Sequence, residues 1–211
     1  ILRPVPLPPA AAADRGTLFH EWAADFLGAW IDGEVDERRS MVAAIDGEDS
    51  LDADERAWRH RLAQSPWARR RPLAAELPIT AIVDGAPING TIDAVFAGGL
   101  DDDGTDDDPS SSGEGRTATP PSTEAITIVD WKTGRRPTSA DEIENRLVQL
   151  DIYRLLLSGQ WGVPLRNIHA TLYYLSQSDP RFRAIPANDR DESAVIAEIR
   201  EGRLLSEQSE R

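Results

Sequence analysis

Hydrophobic and polar positions change period several times along the chain, and these changes predict a mixed α/β fold. Residues 17–31 carry large apolar side chains at helical spacing, and Gly33 supplies a stop signal. A second helix is predicted over about residues 52–64, where Ser65-Pro66 ends it. Beyond this helix, strands are predicted at about 75–83, 91–96, 125–131 and 168–176. Two further helices are predicted, at about 140–157 and 192–205.

The strand signals favour one central sheet. The segments 75–83 and 91–96 flank the polar turn DGAPING and predict a β-hairpin. The segment 125–131 is a continuous apolar run, which suits the middle of a sheet. The helix at 140–157 is apolar around most of its circumference, so it should be buried on most sides. The order helix, three strands, helix, strand predicts an α/β fold with a mixed sheet flanked by helices.

Length and composition exclude several classes of protein and of functional site. With 211 residues, 40% hydrophobic and 28% charged, the chain is long enough for one domain with a sizeable core. It has no cysteine, which excludes disulfides, cysteine-zinc sites, iron-sulfur clusters and thiol nucleophiles. Because the chain starts at Ile1 and residues 1–13 lack a signal-peptide pattern, we expect a piece of a longer protein.

The formal charge of −14 is unevenly distributed. Residues 98–125 hold six Asp and two Glu against one Arg, so half of the excess charge lies in a tract with few apolar residues. Such a tract buries too little surface to offset its ordering entropy, which predicts a disordered acidic insertion at about 98–124 rather than a calcium loop. Residues 1–15 are predicted to be an extended Pro/Ala linker, and 16–211 a single domain.

A carboxylate and an ammonium are predicted side by side at the end of the third strand. Asp130 and Lys132 point to one face because strand side chains alternate, and Asp93 ends the neighbouring predicted strand. Two carboxylates within about 4 Å repel by roughly 1 to 4 kcal/mol, so such a cluster usually holds a cation. The alternative is that Asp130 is a turn residue and Lys132 a solvated neighbour.

Four short motifs occur in order on the predicted elements: G-x-x-x-H at Gly16 and His20, G-x-x-D at Gly90 and Asp93, D-x-K-T-G from Asp130, and Q-x-x-x-Y at Gln149 and Tyr153. Together they resemble the PD-(D/E)XK nuclease superfamily, specifically the RecB-like domain at the C-terminus of UvrD-, RecB-, AddAB- and AdnAB-type helicase-nucleases. The resemblance covers about residues 16–176. It implies a restriction-endonuclease-like αβββαβ core.

The resemblance also implies a metal site. His20, Asp93 and Asp130 would be metal ligands, and the main-chain carbonyl of Trp131 would complete the set. Mg²⁺ or Mn²⁺ is the expected ion because both favour carboxylate and water ligands. Asp93, Asp130 and Lys132 would be the catalytic residues, with the lysine positioning the attacking water and adding positive charge where negative charge grows.

Further residues are assigned less directly. Gln149 and Tyr153 lie one helical turn apart and resemble the pair that lines the site and contacts substrate. Glu76 is either an acid of the second shell or a plain strand end. His20 and Tyr153 have core packing as their alternative. Two features depart from the family: Ala94 stands where many relatives have Arg, and the four-cysteine cluster of some relatives is absent.

The implied function is a Mg²⁺- or Mn²⁺-dependent deoxyribonuclease, expected to be a cytoplasmic exonuclease in DNA double-strand-break repair and recombination. Its expected partners are single-stranded DNA and a helicase motor outside this chain. No P-loop motif occurs, so ATP hydrolysis is not predicted. The alternatives are an inactive nuclease-like module that docks or guides the strand beside a helicase, and a hydrolase of small phosphate esters.

Overall fold

The protein is described by a computed structural model over residues 10–83, 86–102 and 124–209, with side chains at 15–82, 87–102 and 124–200. The helices are α1 (Ala10–Ile31), α2 (Val35–Ala44), α3 (Ala53–Ala63), α4 (Ala140–Trp161) and α5 (Glu192–Ser209). The strands are β1 (Pro72–Val83), β2 (Ala86–Ala97), β3 (Ile126–Lys132), β4 (Ile168–Tyr174) and β5 (Ala184–Pro186).

The five strands form one sheet in the order β1-β2-β3-β4-β5. All neighbours are antiparallel except β3 and β4, which run parallel and are connected through α4. A parallel pair requires such a crossover, and α4 supplies it. The predicted α/β fold with a mixed central sheet flanked by helices is therefore confirmed.

Hydrophobic clusters lie on both faces of the sheet. One face packs against α1 and α3, where Phe19, Phe26 and Trp131 are almost fully buried. The other packs against α4, with Leu150 and Leu157 at 0% exposure. Burial on both faces explains why β3 reads as a continuous apolar run.

The helix boundaries follow local capping chemistry. Asp52 accepts hydrogen bonds from the amides of Asp54 and Glu55, and the Glu55 carboxylate accepts one from the Asp52 amide. This capping box starts α3 one residue after the predicted position. Gly33 adopts a positive φ of 78° beyond the end of α1, as expected for a stop residue.

The structure differs from the sequence predictions at four elements. Strand β2 begins at Ala86, so residues 86–90 of the predicted turn are strand. Helix α1 begins at Ala10, so residues 10–15 are helical rather than extended as predicted. Neither α2 nor β5 was predicted, because α2 buries no residue and β5 has only three residues. The predicted linker over residues 1–9 and most of the predicted acidic insertion, at 103–123, lie outside the described residues.

Candidate metal centre

Three acidic residues come from neighbouring strands at one level of the sheet. In the antiparallel register of β1 and β2, Glu76 stands across from Asp93. The last pair between β2 and β3 is Ala94 with Val129, so the next position sets Asp93 beside Asp130. Since neighbouring strands lie about 4.8 Å apart, this register gathers the three carboxylates in one row.

The imidazole of His20 reaches this row from α1. Its Nδ1 atom lies 3.3 Å from Oδ1 of Asp93 and 3.9 Å from Oε1 of Glu76. One ligand atom from each of these three residues lies within 4.8 Å of the others. The first helix and the hairpin thus bring one nitrogen and two carboxylate oxygens to a common point.

Glu76 belongs to this cluster, although its sequence position suggested at most an outer role. Its φ is +46°, a left-handed conformation that is uncommon for a residue other than glycine. Backbone strain of this kind concentrates at functional sites because it aims a side chain where a regular strand would not. Counting along the observed hairpin from the Val83–Ala86 pair identifies Glu76 as the partner of Asp93. The turn predicted over residues 84–90 did not indicate this pairing.

Asp130 lies beside the cluster and contacts Lys132. The Nζ atom of Lys132 is 2.6 Å from Oδ2 of Asp130, and the aspartate is 4% exposed. Despite this contact, Oδ2 has no hydrogen bond of good geometry within the described part of the chain. Burial and the negative charge of Asp93 both raise the pKa of Asp130, whereas Lys132 lowers it. Burial lowers the pKa of Lys132, but the attraction of Asp130 outweighs burial and raises this pKa overall. The lysine is therefore a cation.

The main chain of Trp131 is hydrogen-bonded to an acid of this cluster, Asp93. Its amide donates a 2.7 Å hydrogen bond to Oδ2 of Asp93, which takes the place of a strand partner. In an extended strand the N–H and C=O of one residue point to the same edge. The Trp131 carbonyl, predicted as a metal ligand, therefore points toward the edge of β3 that Asp93 occupies.

The histidine and the neighbouring carboxylates shift each other's pKa values. Burial of His20 opposes its ionisation, but Asp93, Glu76 and Asp130 outweigh burial and raise its pKa. Burial raises the pKa of Glu76, and the negative charge of Asp93 raises it further. Both shifts show that a positive charge at this point is favoured.

The glycines of two motifs permit close approach between elements. A Cβ atom at Gly90 would lie 2.8 Å from Cε1 of Tyr153, so only glycine leaves room for this ring. A Cβ atom at Gly16 would contact Oγ1 of Thr133 at 3.4 Å. The amide of Gln149 donates a 2.6 Å hydrogen bond to the Tyr153 hydroxyl. The Q-x-x-x-Y pair therefore packs against the strand that carries the G-x-x-D motif.

We expect Gly90→Ala to displace the Tyr153 ring and to lower the free energy of unfolding by about 1–3 kcal/mol, the usual cost of overpacking. Chemical denaturation of the variant measures this loss. Gly159→Ala is the matched control, because a Cβ atom there meets nothing within 4 Å. A Gly90→Ala protein as stable as the wild type would contradict the close approach, and in a Tyr153→Ala background the same glycine substitution should cost less.

The donor set fits a hard divalent cation. One imidazole nitrogen and several carboxylate oxygens suit Mg²⁺ or Mn²⁺, and no thiolate is present in the chain. The raised pKa values of Asp130 and Glu76 reflect burial and the neighbouring Asp93 charge, and a nearby cation would offset both effects. His20, Glu76 and Asp93 are therefore the residues suited to hold such an ion, and Asp130 lies beside this group without belonging to it.

The helices in the described segments include none with the length and apolar character required to cross a bilayer.

Comparison with known proteins identifies one family. Residues 120–209 match the family model of the PD-(D/E)XK nuclease superfamily. No curated protein and no solved structure gives a significant match. The matched segment contains Asp130, Lys132 and the Gln149–Tyr153 pair, whereas His20 and the hairpin acids lie before it and are associated with it by geometry alone. Proteins of this superfamily generally hydrolyse phosphodiester bonds with divalent metal ions. The match covers less than half of the chain, and the mixed five-stranded sheet is consistent with the fold of that superfamily.

Proposed function

We propose that this chain is a Mg²⁺- or Mn²⁺-dependent deoxyribonuclease that hydrolyses phosphodiester bonds in single-stranded DNA. The observation that carries the proposal is the convergence of His20, Glu76 and Asp93 next to the Asp130–Lys132 ion pair. These residues come from α1, β1, β2 and β3, so the arrangement depends on the whole sheet. A structural role alone would not account for two carboxylates and an imidazole that share one point.

In this proposal the metal ion is held by His20, Asp93 and Asp130, with Glu76 and the Trp131 carbonyl as further oxygen donors. A divalent ion there would lower the pKa of a bound water and neutralise charge on the reacting phosphate. The four side chains orient that ion, and their mutual repulsion without it gives the site its affinity for a cation.

Lys132 acts on the water and on the developing charge. Its ammonium is kept protonated by Asp130, so it serves as a hydrogen-bond donor and a fixed positive charge. It holds the attacking water next to the phosphorus and stabilises negative charge on the phosphate oxygens. Tyr153 and Gln149 line the adjacent wall and contact the strand.

We further propose that the chain works as the nuclease part of a helicase-nuclease in DNA repair and recombination, in the cytoplasm, with exonuclease activity. The ordered RecB-like motifs support this context. The net charge of −14 supports it as well, because a chain with few excess cations binds a polyanion weakly by itself. A tethered motor would raise the effective concentration of the strand at the site.

Cleavage of a fluorescent single-stranded oligonucleotide tests the proposed activity. We expect cleavage with Mn²⁺ or Mg²⁺, complete loss on chelation, and recovery when excess Mn²⁺ is restored. Asp93→Asn should reduce the rate at least a hundredfold, since it removes a ligand charge. Asp141→Asn, in the exposed first turn of α4, is the matched control and should cleave like the wild type.

Absence of cleavage with both metals would refute the enzymatic proposal and favour an inactive strand-guiding module. Turnover of a small phosphate ester with DNA left intact would favour the small-ester hydrolase instead. Cleavage that survives Asp93→Asn at the wild-type rate would show that another site is responsible.

A further inference from the structure

We propose that Arg136, Arg146 and Tyr174 form a subsite for an internal phosphate of the DNA strand, next to the metal centre. The inference rests on the proposed function, because it names residues that hold the strand outside the reacting phosphate. It concerns binding rather than bond cleavage, so it can be tested separately.

The three residues lie on the same side of the sheet as Lys132. Tyr174 pairs directly with Lys132 between the parallel strands β4 and β3, so both side chains project from one face. Arg146 precedes Gln149 by three residues in α4 and therefore lies on the same helical face. Arg136 lies in the segment between β3 and α4.

Electrostatic interactions place the two guanidinium groups near the phenol. Burial raises the pKa of Tyr174, while the positive charges of Arg146, Lys132 and Arg136 each counteract that shift. The Asp130 charge also acts on this phenol. Three cations and one acid of the metal centre therefore act on this phenol, and one of the cations, Lys132, is its direct partner across the strand pair.

Several polar groups at this point lack a protein partner. Among the described side chains, neither Arg136 nor Arg146 makes a hydrogen bond or an ion pair with another residue. The Nε atom of Arg136 and the hydroxyl of Tyr174 are both buried without a hydrogen bond, and Tyr174 is only 1% exposed. Buried donors are normally satisfied, so the Arg136 Nε and the Tyr174 hydroxyl indicate a missing acceptor, while the exposed Arg146 adds a charge that solvent leaves available.

The chemistry of these donors selects a phosphate. Arginine presents N–H groups in a planar fork that matches two phosphate oxygens, and its charge persists at all relevant pH values. A DNA strand that reaches the metal centre must approach the carboxylates of Glu76, Asp93 and Asp130. Local cations are required to offset that repulsion, and Arg136 and Arg146 supply them without being neutralised by a protein acid.

Binding of a labelled single-stranded oligonucleotide tests the subsite. Fluorescence anisotropy is measured with the 211-residue chain carrying Asp130→Asn, in Mn²⁺, over a range of salt concentrations. Adding Arg136→Gln or Arg146→Gln should weaken binding by about tenfold each and reduce the slope of log affinity against log salt by about 1. Arg135→Gln and Arg166→Gln are matched controls, since Arg135 is exposed and faces Glu142 at 3.7 Å, and Arg166 precedes the opposite end of β4.

A second arm identifies the phosphate. One neutral methylphosphonate linkage is moved along the oligonucleotide, and at one internal position it should weaken binding to the parent by about tenfold. The protein with both arginines replaced should show no further loss at that position, because the interacting partner is already absent. Oligonucleotides with and without a 5′-phosphate should bind equally.

Unchanged affinity and salt slope in both arginine variants would overturn the proposal, as would failure of the parent protein to bind DNA. Dependence on the 5′-phosphate alone would replace the internal phosphate by a terminal one and overturn the assignment. Thermal melting of each variant verifies folding. DNA binding by the wild type without cleavage in Mn²⁺ would refute the proposed function but leave the phosphate subsite intact.

Discussion

Asp130→Asn is expected to lower kcat/KM for DNA cleavage by about a thousandfold or more while the protein stays folded. The substitution preserves size and shape but removes the negative charge that pairs with Lys132 at 2.6 Å and faces the proposed metal site. Loss of a single well-placed electrostatic group costs roughly a hundredfold to a thousandfold, and here a metal ligand is lost as well.

Stability should change little in this variant. Burial raises the pKa of Asp130, so burying its carboxylate carries a desolvation cost that the neutral amide avoids. Against this, Lys132 loses its counter-charge. Steady-state cleavage together with thermal melting checks both statements, with Asp141→Asn as the control. Residual cleavage within tenfold of the wild type would exclude Asp130 from the chemistry.

Arg154→Met is expected to reduce the free energy of unfolding by about 3–5 kcal/mol, the cost of breaking a buried ion pair. Arg154 and Asp151 are each 1% exposed, and their N–O distance is 2.9 Å. The same guanidinium donates a 2.6 Å hydrogen bond to the carbonyl of Ile168. Removing the arginine leaves the Asp151 carboxylate buried without this partner, and burial already raises the pKa of that group.

Urea denaturation measures this loss, and Arg166→Met is the control because Arg166 is exposed. The ion pair lies near Ile168, where β4 begins, whereas Tyr174 and the metal centre lie at its other end. The activity of the folded fraction should therefore be retained. A variant with wild-type stability would mean that the buried pair contributes nothing net, and adding Asp151→Asn should recover part of any loss that is observed.

Periodicity and local signals predicted most of the elements correctly. The strand at 125–131 and the helix at 140–157 were recognisable because a continuous apolar run marks the first and apolar residues around most of the circumference mark the second. The start of α1 was placed too late, because Pro-rich and Ala-rich residues precede it. The helix α2 was missed, since a surface helix with no buried residue carries no amphipathic pattern.

The candidate site residues likewise differ in whether a local sequence pattern marks them. Asp93, Asp130 and Lys132 could be identified because each belongs to a short motif in the expected order. Arg136 and Arg146 had no such pattern, and their relevance depends on which side chains satisfy them. Only the folded chain shows that the charges of both arginines and of Lys132 act on the phenol of Tyr174.

The amino-acid sequence by itself determined the element types, their order and the motif residues, because helical and strand periods and short motifs are local properties. The tertiary structure decided that Glu76 joins His20 and Asp93, and that the Asp130–Lys132 pair lies at the edge of this group. The physical reason is that these contacts depend on the register between strands and on one left-handed backbone position at Glu76. Both are set by packing between distant segments rather than by the residues nearby in the chain.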